Sequence, residues 1–261
     1  MLVLNMSEYA HPEPDESTAY ISENFDTAGS FAFEPGIVHD FDQHVRASIP
    51  LYEEMLRLVC ELSDWFAPAG STISDLGSGT GSIASDIARR HPTRDLTFHL
   101  YDAEGAMLEA ARRKHKDLAG TFHYHAQRLE DDLCHNESQF TLALFVLQFL
   151  DVRERMRLLR RARAAAADTG VLVLAEKLRL DKGLWQDIAI GSLQDFKLAK
   201  GISAQAVRNK ERALRGVLVP LTDVEQRRML ARAGWSEAEE LFRWHEWTIY
   251  AAFASPGCSG V

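Results

Sequence analysis

The chain has 261 residues, a formal net charge of −9, 46% hydrophobic residues and 26% charged residues. That balance belongs to a globular protein with a sizeable core and excludes a disordered chain. It also argues against a sequence-independent nucleic-acid binder, which needs surplus Lys and Arg to neutralise phosphates. No stretch approaches the ~18 apolar residues needed to cross a bilayer. The N-terminus shows no basic segment followed by an apolar run, so a cytoplasmic location is expected. Cys60, Cys134 and Cys258 show no CxxC spacing. Neither a disulfide framework nor a metal site is expected from them.

Residues 1–30 are polar and acidic and are predicted to form a tail. Residues 31–254 are expected to form one catalytic domain, followed by a short tail at 255–261. From Phe41 to Phe66 apolar residues recur at helical spacing, and Pro50 should divide that helix. Residues 71–76 read as a strand, Gly77 to Gly81 as a turn, and Ile83 to Arg90 as a helix. A strand from Leu96 to Tyr101, ended by Asp102, and a helix from Ala103 to Lys114 follow. Strands are predicted at Phe122–Ala126, Phe140–Val146 and Val171–Ala175. Between the last two lies a helix from Val152 to Ala167, with Gly170 expected to cap it. Its run Arg157, Arg160, Arg161 and Arg163 reads as a solvated face. Residues 184–216 break the rhythm as a helical insertion, a lid or dimerisation element. A helix at Asp223–Ala233, ended by Gly234, precedes two strands near Ala238–Phe242 and Trp247–Phe253, predicted to be antiparallel neighbours. Alternation of strands and helices implies a mostly parallel, seven-stranded sheet with right-handed crossovers.

Asp75-Leu76-Gly77-Ser78-Gly79-Thr80-Gly81 is the informative turn. Its glycines permit positive φ and let a ligand approach the backbone, while the following helix presents free N–H groups. Asp102 ends the next strand, where a carboxylate can bind both ribose hydroxyls. A GxGxxG pattern would suggest a dinucleotide. This turn is GxGxG preceded by Asp-Leu and, with an antiparallel last strand, resembles the class I S-adenosylmethionine (SAM)-dependent methyltransferases. The resemblance implies an α/β Rossmann-like fold with a helical N-terminal extension and a helical insertion. It implies S-adenosyl-L-methionine as cofactor, with S-adenosylhomocysteine or methylthioadenosine as product. Asp75, Gly77, Ser78, Gly79, Gly81, Asp102, Ala103, Met107 and Phe145 are the expected cofactor contacts. Gln127 stands where the family usually has an acidic residue for the adenine amino group, and its amide oxygen can accept the same hydrogen bond.

Further stretches are similar to one subfamily, the bacterial carboxy-SAM synthases of tRNA wobble-uridine modification. They run from Phe41-Asp42 through Pro50-Leu51-Tyr52, then Leu147-Gln148-Phe149-Leu150, Leu174-Ala175-Glu176-Lys177 and Asp195-Phe196-Lys197 through Gly201. Leu221-Thr222 and Ala233-Gly234-Trp235 complete them. The resemblance places Tyr52 near the SAM amino-acid end and implies a homodimer. The family holds the carboxylate of its product with an arginine directly after a lysine. Lys210 matches that lysine, Glu211 occupies the arginine position, and Arg212 lies one place further, about 100° around a helix. A glutamate there would repel a carboxylate.

Tyr52, Gln148, Glu211 and Arg212 are therefore the candidate catalytic residues. His44, Arg46, Glu176, Lys177, Asp195 and Lys197 are possible neighbours of the site. His123 and His125 share one face of a short strand, too few for a metal site. The leading expectation is a SAM-dependent methyltransferase acting on a small molecule of specialised metabolism, with no nucleic-acid or membrane partner. A non-methylating SAM enzyme is the second: a carboxy-SAM synthase, or a cyclase like the azetidine-2-carboxylate synthases. A non-catalytic SAM-binding or scaffold protein is the third.

Overall fold

The structure is a computed structural model describing residues 38, 40–135 and 137–254. The expected tails at 1–30 and 255–261 lie outside the described residues. Helix α1 (Phe41–Ser48) and helix α2 (Tyr52–Phe66) are separated at Pro50, as the sequence suggests, with Leu51 turning through φ 56°. Then come β1 (Thr72–Leu76), α3 (Ser82–Arg90), β2 (Thr97–Asp102), α4 (Gly105–His115), β3 (Thr121–Ala126) and β4 (Ser138–Leu144). A single 3₁₀ turn at Leu147–Phe149 leads into α5 (Val152–Ala164) and β5 (Ala166–Lys177). The insertion is α6 (Gly183–Ala199) and α7 (Ala204–Ala213). Helix α8 (Asp223–Arg232), β6 (Trp235–Trp244) and β7 (Trp247–Ala254) follow.

The sheet has seven strands in the order β3-β2-β1-β4-β5-β7-β6. Only β7 runs against the rest, pairing antiparallel with both β5 and β6. Strand β5 shows why a continuous apolar run means burial on both faces. Val171, Val173 and Ala175 join the core beneath α2, α3 and α4. Leu172 and Leu174 join the opposite core with Leu158, Leu159, Leu230 and Trp235. Strand order reverses between β1 and β4, which opens a crevice at their carboxyl ends.

Some boundaries differ from the sequence reading. Helix α5 stops at Ala164 and Gly170 is not its cap. Ala166 already pairs with Ser138, so β5 begins early and Gly170 lies inside it, beside a register shift. A Cβ at Gly170 would come 2.8 Å from the Ser138 carbonyl and 2.9 Å from that of Ala167, so a bulge glycine fits. Strand β4 also ends two residues early, because Phe145 turns off it at φ 60°. The arginines of α5 are mostly anchored. Arg157 pairs with Glu154, Arg161 donates to the Leu129 carbonyl, and Arg163 donates to the Gly234 carbonyl.

The histidine pattern extends further than the i, i+2 pair. His99 sits in register with His123, stacks on His135 at 4.0 Å, and lies 3.0 Å from His125. His135 in turn contacts Ser74 Oγ at 2.5 Å and Tyr101 OH at 2.6 Å. Burial, then the neighbouring imidazoles, lower His99 to about 3 and His135 to about 4. The unfolded chain therefore binds more protons than the folded one below the ordinary histidine value of about 6.5. Stability from this stack is full above that value and is lost as pH falls toward about 4. Thermal midpoints should drop across that window, and His135→Gln should flatten the drop. An equal drop in the variant would contradict this.

Candidate functional site

A cavity of about 700 Å³ opens at the sheet's switch point. Its floor is the glycine turn. Gly77, Gly79 and Gly81 all have positive φ, between 53° and 74°. The Gly77 and Gly79 backbone lines the cavity with Asp75 and Ser78, while Gly81 sits behind, against His115 and Ala111. Asp102 closes one side. Its Oδ2 accepts from Gly79 N at 2.8 Å and its Oδ1 from Glu104 N at 2.9 Å, which fixes the carboxylate at the strand end. Ala103 and Met107 line the same wall. Asp75 is fully enclosed, and its Oδ2 has no partner among the described residues. Burial, then Asp102, raises its carboxyl to about 7.

Helix α1 covers the turn, through a cluster that sequence reasoning did not single out. Thr80 Oγ1 donates to Asp42 Oδ1 at 2.6 Å. Lys114 pairs with Asp42 and donates to Thr80 Oγ1 at 2.6 Å and Ser82 Oγ at 2.8 Å. Burial opposes the Asp42 charge, but Lys114, Thr80 and Ser82 hold its carboxyl below the usual value. Phe41 thereby packs over Gly79, where a Cβ would meet its ring at 3.1 Å. Phe145, at the end of β4, places its ring 5.7 Å from Tyr52 and 5.8 Å from Trp247. Its positive φ is uncommon for a large residue. Tyr52 lines the cavity, and burial pushes its hydroxyl pKa up.

The other expected residues divide. Gln148 lines the cavity and also works as a clamp: its Nε2 donates to the Phe145 carbonyl at 3.2 Å and its Oε1 accepts from Lys177 N at 2.9 Å. Glu176 is buried behind that clamp, with burial raising it to about 8, and the buried Arg155 beside it donates to the Gln148 and Leu150 carbonyls. Lys177 does not pair with Glu176. It lines the cavity and ion-pairs with the buried Glu246 at 2.8 Å. Lys197, Lys210 and His44 also line the cavity.

Gln127, Glu211, Arg212, Arg46 and Asp195 do not line it. The Gln127 amide is taken by the 132–134 loop, donating to the Asp132 carbonyl at 2.9 Å and accepting from Cys134 Sγ at 3.2 Å. Arg128, Leu129 and Glu130 line the cavity instead. Glu211 Oε1 accepts from Gln194 Nε2 at 3.0 Å, because the phase of α7 turns Lys210 inward. Arg46 is exposed and ion-pairs with Glu53.

These residues fit an adenosyl sulfonium ligand. The turn leaves its backbone open, Asp102 stands ready for vicinal hydroxyls, and the unpartnered, protonatable Asp75 would be stabilised by an arriving cation. The chain's similarities agree. Residues 73–170 match the family model described as a methyltransferase domain. The carboxy-S-adenosyl-L-methionine synthase of Desulfotalea psychrophila is 29% identical over 238 residues, covering 89% of this chain and 95% of its own. That of Nautilia profundicola is 29% identical over 224 residues, covering 85% and 94%. An O-methyltransferase family protein from Burkholderia thailandensis superposes with a TM-score of 0.59 at 21% identity, over 85% of this chain and 62% of its own. The chain thus spans about three-fifths of that structural relative. With the sheet order, the glycine turn and the acidic strand end in place, the chain has the class I methyltransferase fold, carries a methyltransferase domain at residues 73–170, is a SAM-dependent enzyme, and is similar over most of its length to the carboxy-SAM synthases.

Proposed function

We propose that the protein transfers the SAM methyl group to a small molecule of specialised metabolism. The observation that carries this reading is the continuous cavity. It runs from the glycine turn and Asp102 to Tyr52, Lys197 and Lys210, and its volume lies in the ~300–1,000 Å³ range of small-molecule sites. Asp102 would hold the ribose, the Gly77–Gly79 backbone would lie against the amino-acid portion, and Tyr52 and Phe145 would flank the sulfonium. SAM supplies an electrophilic methyl. The chain's part is to hold a nucleophile in line at ~3–3.5 Å, exclude water and receive a proton. Met107 and Leu129 would enclose the base, while Gln127 is left to the loop behind them.

The second reading, a carboxy-SAM synthase, is favoured by the similarity to enzymes of that name. Against it, the position of the carboxylate-holding arginine carries Glu211, outside the cavity. Incubation of the protein with SAM, with and without prephenate, separates the readings by product chromatography. Methyl transfer requires that SAM alone stay intact. Release of methylthioadenosine without an acceptor, or formation of carboxy-SAM with prephenate, would overturn it. A scaffold that does not bind SAM would show no thermal shift with S-adenosylhomocysteine, whereas binding at ~100 times Kd stabilises by about 2.7 kcal/mol.

A cytoplasmic homodimer completes the proposal. Leu184, Trp185 and Ile188 on α6 are exposed apolar side chains that a second copy would cover. Sedimentation at monomer mass would contradict it.

A further inference from the structure

On the β5 side of the cavity three lysine side chains converge from three elements: Lys177 from the end of β5, Lys197 from α6 and Lys210 from α7. In a chain of net charge −9 this is a local reversal. Among the described residues, only Lys177 of the three has a carboxylate ion-pair partner, the buried Glu246. Lys197 is 6% exposed, and among the described residues its amine has no hydrogen bond or ion pair. Lys210 Nζ lies 2.5 Å from His44 Nε2 and donates to Ser48 Oγ at 2.9 Å. With His44 as its Nδ1–H tautomer, a neutral Lys210 amine spends its two N–H bonds on these two acceptors and keeps its lone pair.

We infer that Lys210, seated on His44 and Ser48, is the proton acceptor for a hydroxyl-bearing substrate, a phenol or enol, and that Lys197 supplies the positive charge facing the substrate oxygen. This rests on the methyltransferase reading. The surroundings support it. Burial, then Lys197 and Lys177, hold Lys210 well below the ordinary lysine range. Burial, then Lys177, bring Lys197 down to about 8, while Glu211 and Glu246 pull the other way. Burial, then Lys210 and Lys197, lower His44 to about 2, so it faces Lys210 as a neutral ring. Tyr52, the titratable group facing from α2, is pushed up and stays protonated.

The step balances. The substrate O–H bond breaks and its proton joins Lys210 Nζ. The oxygen forms a bond to the methyl carbon, and the carbon–sulfur bond breaks with its electron pair left on sulfur. Lys210 then returns its proton to solvent. A base of this kind is most useful when its pKa lies near the working pH, which a buried lysine among lysines achieves.

The test uses 4-nitrophenol as probe, bound to the full chain saturated with S-adenosylhomocysteine, with the phenolate read by its absorption. A nearby positive charge should raise the ionisation constant of the bound probe by about tenfold or more over the free probe. Lys197→Met and Lys210→Met should bring it within about twofold of the free value, and Lys197→Arg should preserve the shift. The thermal shift given by S-adenosylhomocysteine should persist in all three, which shows that they are folded. Absence of probe binding, ionisation like that of the free probe, or shifts unchanged in both methionine variants would overturn the inference. Methylthioadenosine release from SAM alone would overturn the methyltransferase reading, and the methylation step with it. An unshifted probe in an active methyltransferase would overturn the lysine assignment by itself.

Discussion

Asp102→Ala is expected to weaken S-adenosylhomocysteine binding by about a hundredfold or more. Two hydrogen bonds from ribose hydroxyls to a carboxylate are worth about 1.5 kcal/mol each at the low end, together about 3 kcal/mol. The carboxylate is already fixed by Gly79 N and Glu104 N, so little ordering is required when a ligand arrives. Its removal also frees those two donors and loosens the turn that forms the floor. Asp102→Asn keeps the shape and one acceptor oxygen and should fall between wild type and Ala. Isothermal titration measures all three. Equal affinities would remove Asp102 from the ligand site.

The second large effect is on the turn itself. A Cβ at Gly77 would lie 2.4 Å from Val146 Cγ2 and 2.8 Å from its Cβ, at a φ of 74°. Left-handed backbone costs an alanine ~1–2 kcal/mol, and overpacking adds ~1–3 kcal/mol. Gly77→Ala should therefore destabilise by about 2–5 kcal/mol and lower the melting midpoint by roughly 4–20 °C. Adding Val146→Ala should recover the share of the contact cost owed to the two Cγ methyls and leave the backbone part and the 2.8 Å approach to Cβ, a separation that a double-mutant cycle reads directly. Gly105→Ala is the control, since nothing lies within 4 Å of its Cβ position. A Gly77→Ala melt within the error of wild type would contradict the tight approach of β4's end to the turn.

The glycine turn and Asp102 were legible because their information is local. A strand, a turn that demands positive φ and a helix start occupy consecutive residues, and Asp102 ends the next strand in parallel register. The antiparallel tail was legible for the same reason, since β6 and β7 are separated by a two-residue turn. The lysine cluster was not. Lys177, Lys197 and Lys210 come together only when the insertion folds across the carboxyl edge of the sheet, and nothing in their spacing encodes that. Helix phase misled at Glu211, where the neighbouring Lys210 turned out to face inward. Gln127 lies off the cavity through a loop interaction, its amide held by residues that Tyr101 OH anchors through Cys134 N at 3.1 Å. Gly170 failed because strand pairing with Ser138 outcompeted a helix cap. His99 and His135 escaped notice because stacking across β2, β3 and the following loop has no signature along one strand.

At Gly170, the histidines and the lysines a long-range contact overrides or escapes a local preference, which is where reading a single chain is weakest. The cradle at Gly77 to Gly81 needs no such contact to be recognised. It needs α1 to be covered, and there the Asp42, Thr80 and Lys114 cluster supplies the tie.

The most direct measurement is a crystal structure of the protein with S-adenosylhomocysteine. The account expects the ribose hydroxyls on Asp102, the ligand backbone against Gly77 and Gly79, and the sulfur facing the side of the cavity lined by Tyr52, Lys197 and Lys210. Ligand density elsewhere, or a sulfur turned away from those residues, would contradict it.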